Sequence, residues 1–376
     1  MSLDNRPEES QQVRSIEDLL PYFRRAEKAP GRSRIGLEHE KTPVYERDLQ
    51  PVPYEGERGI RELLLRARRF GYTLINDQDQ PIAGALGKEL LSLEPGGQVE
   101  LSGSPFGELR SVAEEHLHHV ARMKAIAREL GITLLGIGYR PFGRIADMPW
   151  MPKSRYSVMR AFMPTRGTHA LDMMLMTGTV QTSLDFESEE DCARKVRTAA
   201  SVSSFVAALY ANSPFVDGKA VGMQTFRYRV WRDVDPARCG LLPLFFDAKG
   251  FTYRRYAEWA LAAPMIFIRR TGQYVPMEGR SFAQFMAEGF GGHTATFTDF
   301  EDHMTTLFPE IRVKQVIEMR SADACDVPTS NALPALFKGI LYDRGASDAA
   351  LALTEGLSFE DRLKLQEDVA TSALKA

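Results

Sequence analysis

The chain has 376 residues, 44% of them hydrophobic and 26% charged, with a formal net charge of −3. This is ordinary globular composition, sufficient for one large α/β domain or two smaller ones, and its slight acidity leaves no electrostatic footprint for nucleic acid. Cys192, Cys239 and Cys325 form neither a CxxC nor a paired framework, which reads as a reduced, cytoplasmic protein.

The polar start, MSLDNRPEESQQ, matches no signal or transit peptide. Residues 1–14 are expected to form a disordered lead to a single domain over 15–376. SIEDLLPYFRRAEK reads as a helix and SRIGLEHEKTPVY as a strand. ERGIRELLLRARRFG reads as a helix closed by Gly71. Short strands with turns at 76–81, 84–88 and 95–97 follow. GELRSVAEEHLHHVARMKAIARELG has a 3.6-residue apolar period and ends at Gly131, so it predicts a long helix. His116 is expected to pack there, and His118 and His119 to face solvent. ITLLGIGYRP reads as a buried strand, and MPKSRYSVMRAFMP as a basic, aromatic segment between prolines. MMLMTGTVQTSLDF reads as a long strand, its methionines as core filler. Ser188 caps a helix over SEEDCARKVRTAASVSSFVAALYANSP. Strands are expected at TFRYRVW, PMIFIRR and RVKQVIEMR, and a helical tail from LPALFKGILYD onward. No apolar run reaches the ~20 residues that span a bilayer. The excess of strands over βα alternation predicts an α+β fold: an antiparallel sheet with helices on one side.

The carboxylates carry the chemistry. Strand side chains two apart share a face, so Glu38 and Glu40 in GLEHE point the same way, roughly 7 Å apart, and His39 points away. In SLEPGGQVELSG, Glu94 and Glu100 straddle Pro95-Gly96-Gly97 at an even separation, which lets a simple turn bring both to one face. In KQVIEMR, Lys314, Glu318 and Arg320 share a face. Like charges among apolar neighbours repel unless a cation compensates. These acids therefore read as oxygen ligands for Mg²⁺, with substrate phosphates completing its shell, and the glycines as allowing close approach of backbone to ligand. Each piece alone also fits a blander reading. An E-x-E strand can be a solvated sheet face, Pro-Gly-Gly a turn, and Glu318 with Arg320 a surface ion pair.

GLEHEK, SLEPGGQVELSG, GIGYRP, MPKSRY, LDMMLMTGTVQTSLDF, ANSPF and EMRSAD occur in this order over 34–343. Together they resemble the glutamate–cysteine ligases of plants and proteobacteria. The resemblance implies a glutamine-synthetase-like carboxylate–amine ligase fold, a curved antiparallel sheet forming a funnel with helices outside. It implies ligation of the glutamate γ-carboxylate to the cysteine amine through γ-glutamyl phosphate, the first step of glutathione synthesis, with ATP as co-substrate and Mg²⁺ as cofactor. By position, Glu38, Glu40, Glu94, Glu100 and Glu318 correspond to the metal ligands, with Gln181 where relatives carry a histidine. Arg320 corresponds to a phosphate-contacting arginine, Arg227 and Trp231 to positions near the substrates, and Lys153, Arg155 and Tyr156 to the glutamate side. The expected partners are small-molecule substrates, with neither nucleic acid nor membrane, in a monomer or homodimer. The family continues past the point where this chain stops, and its plant members' redox cysteines have no evident counterparts. A different amine acceptor, a non-catalytic relative and a phosphohydrolase are the rival readings.

Overall fold

Eleven residues of alternating character, Ile35–Tyr45, form the central strand β1 of the computed structural model, which describes residues 11–376. The other strands of its sheet are β2 (Thr73–Asp77), β3 (Gln80–Leu86), β4 (Glu89–Leu93), β5 (Val99–Ser102), β6 (Ile132–Leu135), β7 (Val180–Leu184), β8 (Ile311–Val313) and β9 (Ile317–Met319). Among the described residues they form a 9-stranded sheet in the order β8-β9-β7-β1-β5-β4-β3-β2, with β6 also on β1. Every pair is antiparallel, as the α+β expectation requires.

The apolar side of β1 sets which face is covered. Ile35 and Leu37 pack with Val180 and Leu184 of β7 into a core shared with Val112, Val196 and Phe337. Those residues belong to the helices Leu109–Leu130, Glu189–Leu209 and Val327–Leu341. The predicted stops and caps are in place. Gly131 closes the first helix at φ +63°, and the Ser188 hydroxyl accepts from the Asp191 N–H at the start of the second. Helices also rise on the other side of the sheet, where none was expected, and they wall in the site described below.

Several segments depart from expectation. MMLM lies in a helix, Ala170–Met176, and only Val180–Leu184 is strand. Met173, Met174, Leu175 and Met176 are all buried, and a continuous apolar run carries no period with which to choose between helix and strand. TFRYRVW is a helix, Phe226–Trp231, because the Thr225 hydroxyl caps it by accepting from the Tyr228 N–H. MPKSRY opens another helix, Ser154–Phe162. RVKQVIEMR is a hairpin, closed where the Lys314 N–H donates to the Val316 carbonyl. His119 is buried, since its ring meets the Glu89 carboxylate at 2.9 Å under the sheet. Of the expected disordered lead, residues 1–10 lie outside the described residues. Gln12, by contrast, pairs with Thr296, and Val13 is buried. No helix among the described residues is long and apolar enough to cross a membrane.

Candidate active site

Strand register decides where the acids go. Residues directly opposite in an antiparallel pair share a face, as do residues two apart along one strand. Glu40 lies opposite Glu100, Glu38 opposite Gln181, and Ser183 opposite Glu318. Glu38, Glu40, Glu100, Gln181 and Glu318 therefore project from one face, drawn from β1, β5, β7 and β9. Glu94 joins them from the turn after β4. A cavity of about 310 Å³ lies over this face, and Glu38, Glu40, Glu94, Glu100 and Gln181 line it. Its other walls carry Lys153, Arg155, Arg269, Arg312, Lys314 and Arg320, with the rings of Tyr156, Trp231, Tyr274 and Phe308 between them. The site thus has an acidic floor and a cationic, aromatic rim.

The turn that bears Glu94 is a four-residue reversal. The Gly97 N–H donates to the Glu94 carbonyl at 2.9 Å, and Gly97 takes φ +86°. Gln98 ties the turn down: its side-chain oxygen accepts from the Gly96 N–H (3.0 Å), and its amide nitrogen donates to the Thr177 carbonyl (2.8 Å). A Cβ on Gly96 would lie 2.3 Å from the Leu175 carbonyl oxygen. The close approach that requires glycine is therefore to the helix Ala170–Met176, and not to a ligand as the sequence reading had it.

The acids are not electrostatically balanced within the chain. Burial pushes Glu40 well above the ordinary carboxylate range, and Glu94 and Glu100 push it further. Glu38 is raised by burial and then by Glu100 and Glu318. Burial and Glu100 bring Glu94 to about 7 against the pull of Lys153 and Arg155. Some partners are present. The Ser92 hydroxyl donates to Glu100 at 3.2 Å, the Ser102 hydroxyl donates to the same oxygen, and the Thr179 N–H donates to Glu40 at 3.1 Å. Among the described residues no three His, Cys, Asp or Glu side chains form a closed coordination shell. Mg²⁺ does not demand one. It keeps several waters and binds through one or two carboxylates plus substrate phosphate. Hard oxygen donors under mutual repulsion, facing an open cavity, fit that ion.

Two expected ligands have other commitments. Glu318 receives Arg312 on one oxygen and the Lys314 ammonium, at 2.6 Å, on the other. These cations hold its carboxyl far below the usual range despite burial, which alone would raise it. The carboxylate does not itself line the cavity; Arg312 and Lys314 do. The Gln181 oxygen accepts from Arg320 Nη1 at 2.6 Å, so it orients that guanidinium. Arg227, expected beside the reacting groups, is buried behind the cavity wall. Its Nη2 donates to the Arg320 carbonyl (2.9 Å) and its Nη1 to the Ser321 carbonyl (3.3 Å). Its guanidinium thus meets the backbone beneath Arg320 and does not line the cavity.

The remaining expected residues reach the cavity. Arg320 lies over the Trp231 ring, 5.7 Å from its centroid. Tyr156 donates to the Leu93 carbonyl at 3.0 Å and carries the Lys153 ammonium 5.4 Å from its ring centroid. Arg155 sits over the ring of Phe267. Sequence reasoning missed the residue that places this group. Asp77 accepts from the Ser154 N–H (2.6 Å) and hydroxyl (2.7 Å), anchoring the first turn of Ser154–Phe162. It also missed Arg312 and Arg269, the latter braced by Asp302 at 2.8 Å. An arginine 33 positions from its acid leaves no local signal.

The profile of glutamate-cysteine ligase family 2 matches residues 34–376. The chloroplastic glutamate–cysteine ligase of Brassica juncea is 42% identical over 363 residues, covering 96% of this chain and 70% of its own. That of Arabidopsis thaliana is 42% identical over 96% of this chain and 69% of its own. A solved glutamate–cysteine ligase from Francisella tularensis, in complex with AMP, covers 91% of this chain and 71% of its own at 11% identity, with a TM-score of 0.49. The plant relatives are named chloroplastic, which overturns the cytoplasmic reading. Three separated cysteines indicate reduced thiols, and that does not distinguish one reducing compartment from another. Over nearly its whole length, the chain belongs to glutamate-cysteine ligase family 2.

Proposed function

We propose that this cavity joins the γ-carboxylate of glutamate to the amine of cysteine as ATP is converted to ADP and phosphate. A carboxylate is a poor acyl donor because its oxygen is a poor leaving group. Attack of a γ-carboxylate oxygen on the terminal phosphorus of ATP releases ADP and gives an acyl phosphate. The cysteine nitrogen then attacks the acyl carbon, inorganic phosphate leaves, and the nitrogen gives up a proton.

The two walls divide this work. The acidic floor, Glu38, Glu40, Glu94 and Glu100, would hold Mg²⁺, which when bound neutralises phosphate charge. Arg320, its planar guanidinium oriented by Gln181 and Trp231, meets the phosphoryl oxygens. Lys153 and Arg155 receive the glutamate carboxylates, and Glu318 keeps Arg312 and Lys314 turned to the cavity. The observation that supports this reading most is the register: Glu40 opposite Glu100 and Glu38 opposite Gln181 put the acids beneath a cationic rim.

Purified protein with ATP, Mg²⁺ and glutamate is assayed for ADP with and without cysteine, and the product is weighed by mass spectrometry. ADP release that requires cysteine, with a γ-linked dipeptide as product, is expected. Release indifferent to any amino acid would overturn the reading. A dipeptide formed only with another amine would move the acceptor assignment and leave the ligase chemistry standing.

A further inference from the structure

We propose that Asp323, which touches no part of the cavity, is a positioning residue that aims Arg320 at the reacting phosphoryl group; the catalytic part of this claim rests on the ligase reading above. Asp323 is 1% exposed and follows β9 by four residues. One carboxylate oxygen accepts from the Asn212 N–H (2.9 Å) and the Ser213 hydroxyl (2.7 Å). The other accepts from the Thr225 hydroxyl (3.0 Å) and lies 3.7 Å from Arg227 Nη1. The chain makes room for this carboxylate at Gly138, where an added Cβ would lie 2.2 Å from the Asp323 carboxyl carbon.

Each of these partners belongs to the start of the helix Phe226–Trp231 or to the segment laid beside it. Thr225 is the helix cap, and the Ser213 hydroxyl accepts from the Arg227 N–H at 3.1 Å. Asp323 therefore fastens the helix at its first turn. The helix in turn holds Arg320 at both ends. Arg227 grips the carbonyls of Arg320 and Ser321, and Trp231, one turn on, lies under the Arg320 guanidinium. A planar guanidinium is effective only when its fork is aimed, and a displacement of about 1 Å at a reacting centre costs on the order of 100-fold in rate. The charge matters as well as the shape. Buried Arg227 has Asp323 as its nearest anion, and an amide there would turn its N–H groups either toward the Asn212 and Ser213 donors or toward the Thr225 hydroxyl and Arg227.

Asp323→Asn removes the charge at constant volume, and Gly138→Ala crowds the same carboxylate from another segment. Both are made in a Trp150→Phe, Trp259→Phe background, which leaves Trp231 as the only tryptophan of the chain's three. Two readouts are taken below the melting temperature: kcat and KM for cysteine-dependent ADP release, and acrylamide quenching of Trp231. Both variants are expected to lower kcat on the order of 10- to 100-fold with KM for cysteine little changed, and to raise Trp231 quenching. Parental kcat in both variants, or a lost kcat with Trp231 quenching unaltered, would overturn the proposal. Should the parent release no cysteine-dependent ADP, the ligase reading fails instead. Trp231 quenching then decides the relay alone, and unaltered quenching in both variants refutes it.

Discussion

Replacing Glu94 by glutamine should stabilise the metal-free protein at alkaline pH while disabling the site. Folded, the Glu94 carboxyl titrates near 7 against an ordinary value of 4.5. That difference is worth about 3 kcal/mol between its two charge states. Glu94 is half-buried at the cavity, so water there reduces the observable part to about 1–3 kcal/mol. The folded state holds this proton more tightly than the unfolded chain does. The resulting stabilisation is complete below pH 4.5 and is lost as pH rises through 7. A glutamine at this position mimics the protonated acid at every pH. Wild type and Glu94→Gln should therefore match near pH 4, where both folded and unfolded acids are protonated, and the variant should be the more stable near pH 8. Buried His39, His116, His119 and His303 are all held neutral, which makes stability rise toward pH 6.5. The variant retains them, so they cancel in the difference. Urea-denaturation midpoints in chelator from pH 4 to 8 measure the gap, and repeating the series with Mg²⁺ should narrow it at the alkaline end only. A gap that stays flat with pH would refute the burial-and-repulsion argument. A gap that Mg²⁺ leaves untouched would remove Glu94 from the cation site.

Glu318 inside β9 and Arg320 just past its end should answer differently to mutation. Arg320→Ala is expected to slow turnover by about 10²- to 10³-fold with little change in melting temperature, in steady-state and thermal assays. Glu318→Gln leaves Arg312 and Lys314 without their shared anion, and should lose about 3–5 kcal/mol of stability by denaturant titration; an unchanged midpoint would contradict the ion triad. Gly96→Ala places a methyl 2.3 Å from a backbone oxygen that cannot rotate away. It should cost about 1–3 kcal/mol or more, and wild-type stability would show that the turn is not seated on Ala170–Met176. Asp77→Ala removes the anchor of Ser154–Phe162, so a loss of about 1 kcal/mol with a raised KM for glutamate is expected.

What could be read from the sequence and what could not divides along the origin of the charges. The acidic floor was legible because it obeys local rules. Glu38 and Glu40 are two apart on one strand, and Glu94 and Glu100 flank a turn at an even spacing, so period-2 geometry alone sends each pair to one face. Long helices with terminal caps, such as Leu109–Leu130 and Glu189–Leu209, were legible for the same reason. The cationic rim was not. Lys153 and Arg155 depend on Asp77 from a distant strand, and Arg269 on Asp302. Arg320 depends on Gln181 and on a helix whose FRYRV core reads as well for a strand. None of these pairings leaves a period. The same division explains why the fold can tolerate the site. Acids fixed by the sheet's own hydrogen bonds cannot move apart to relieve their repulsion, and the movable, long-armed residues are all cations gathered from outside the acidic strands. The strain therefore stays on the floor, where Glu40 and Glu94 remain raised even with the rim in place. A ligand that brings positive charge to the floor and negative charge to the rim relieves both, which is the charge arrangement of a divalent cation carrying a nucleotide's phosphates.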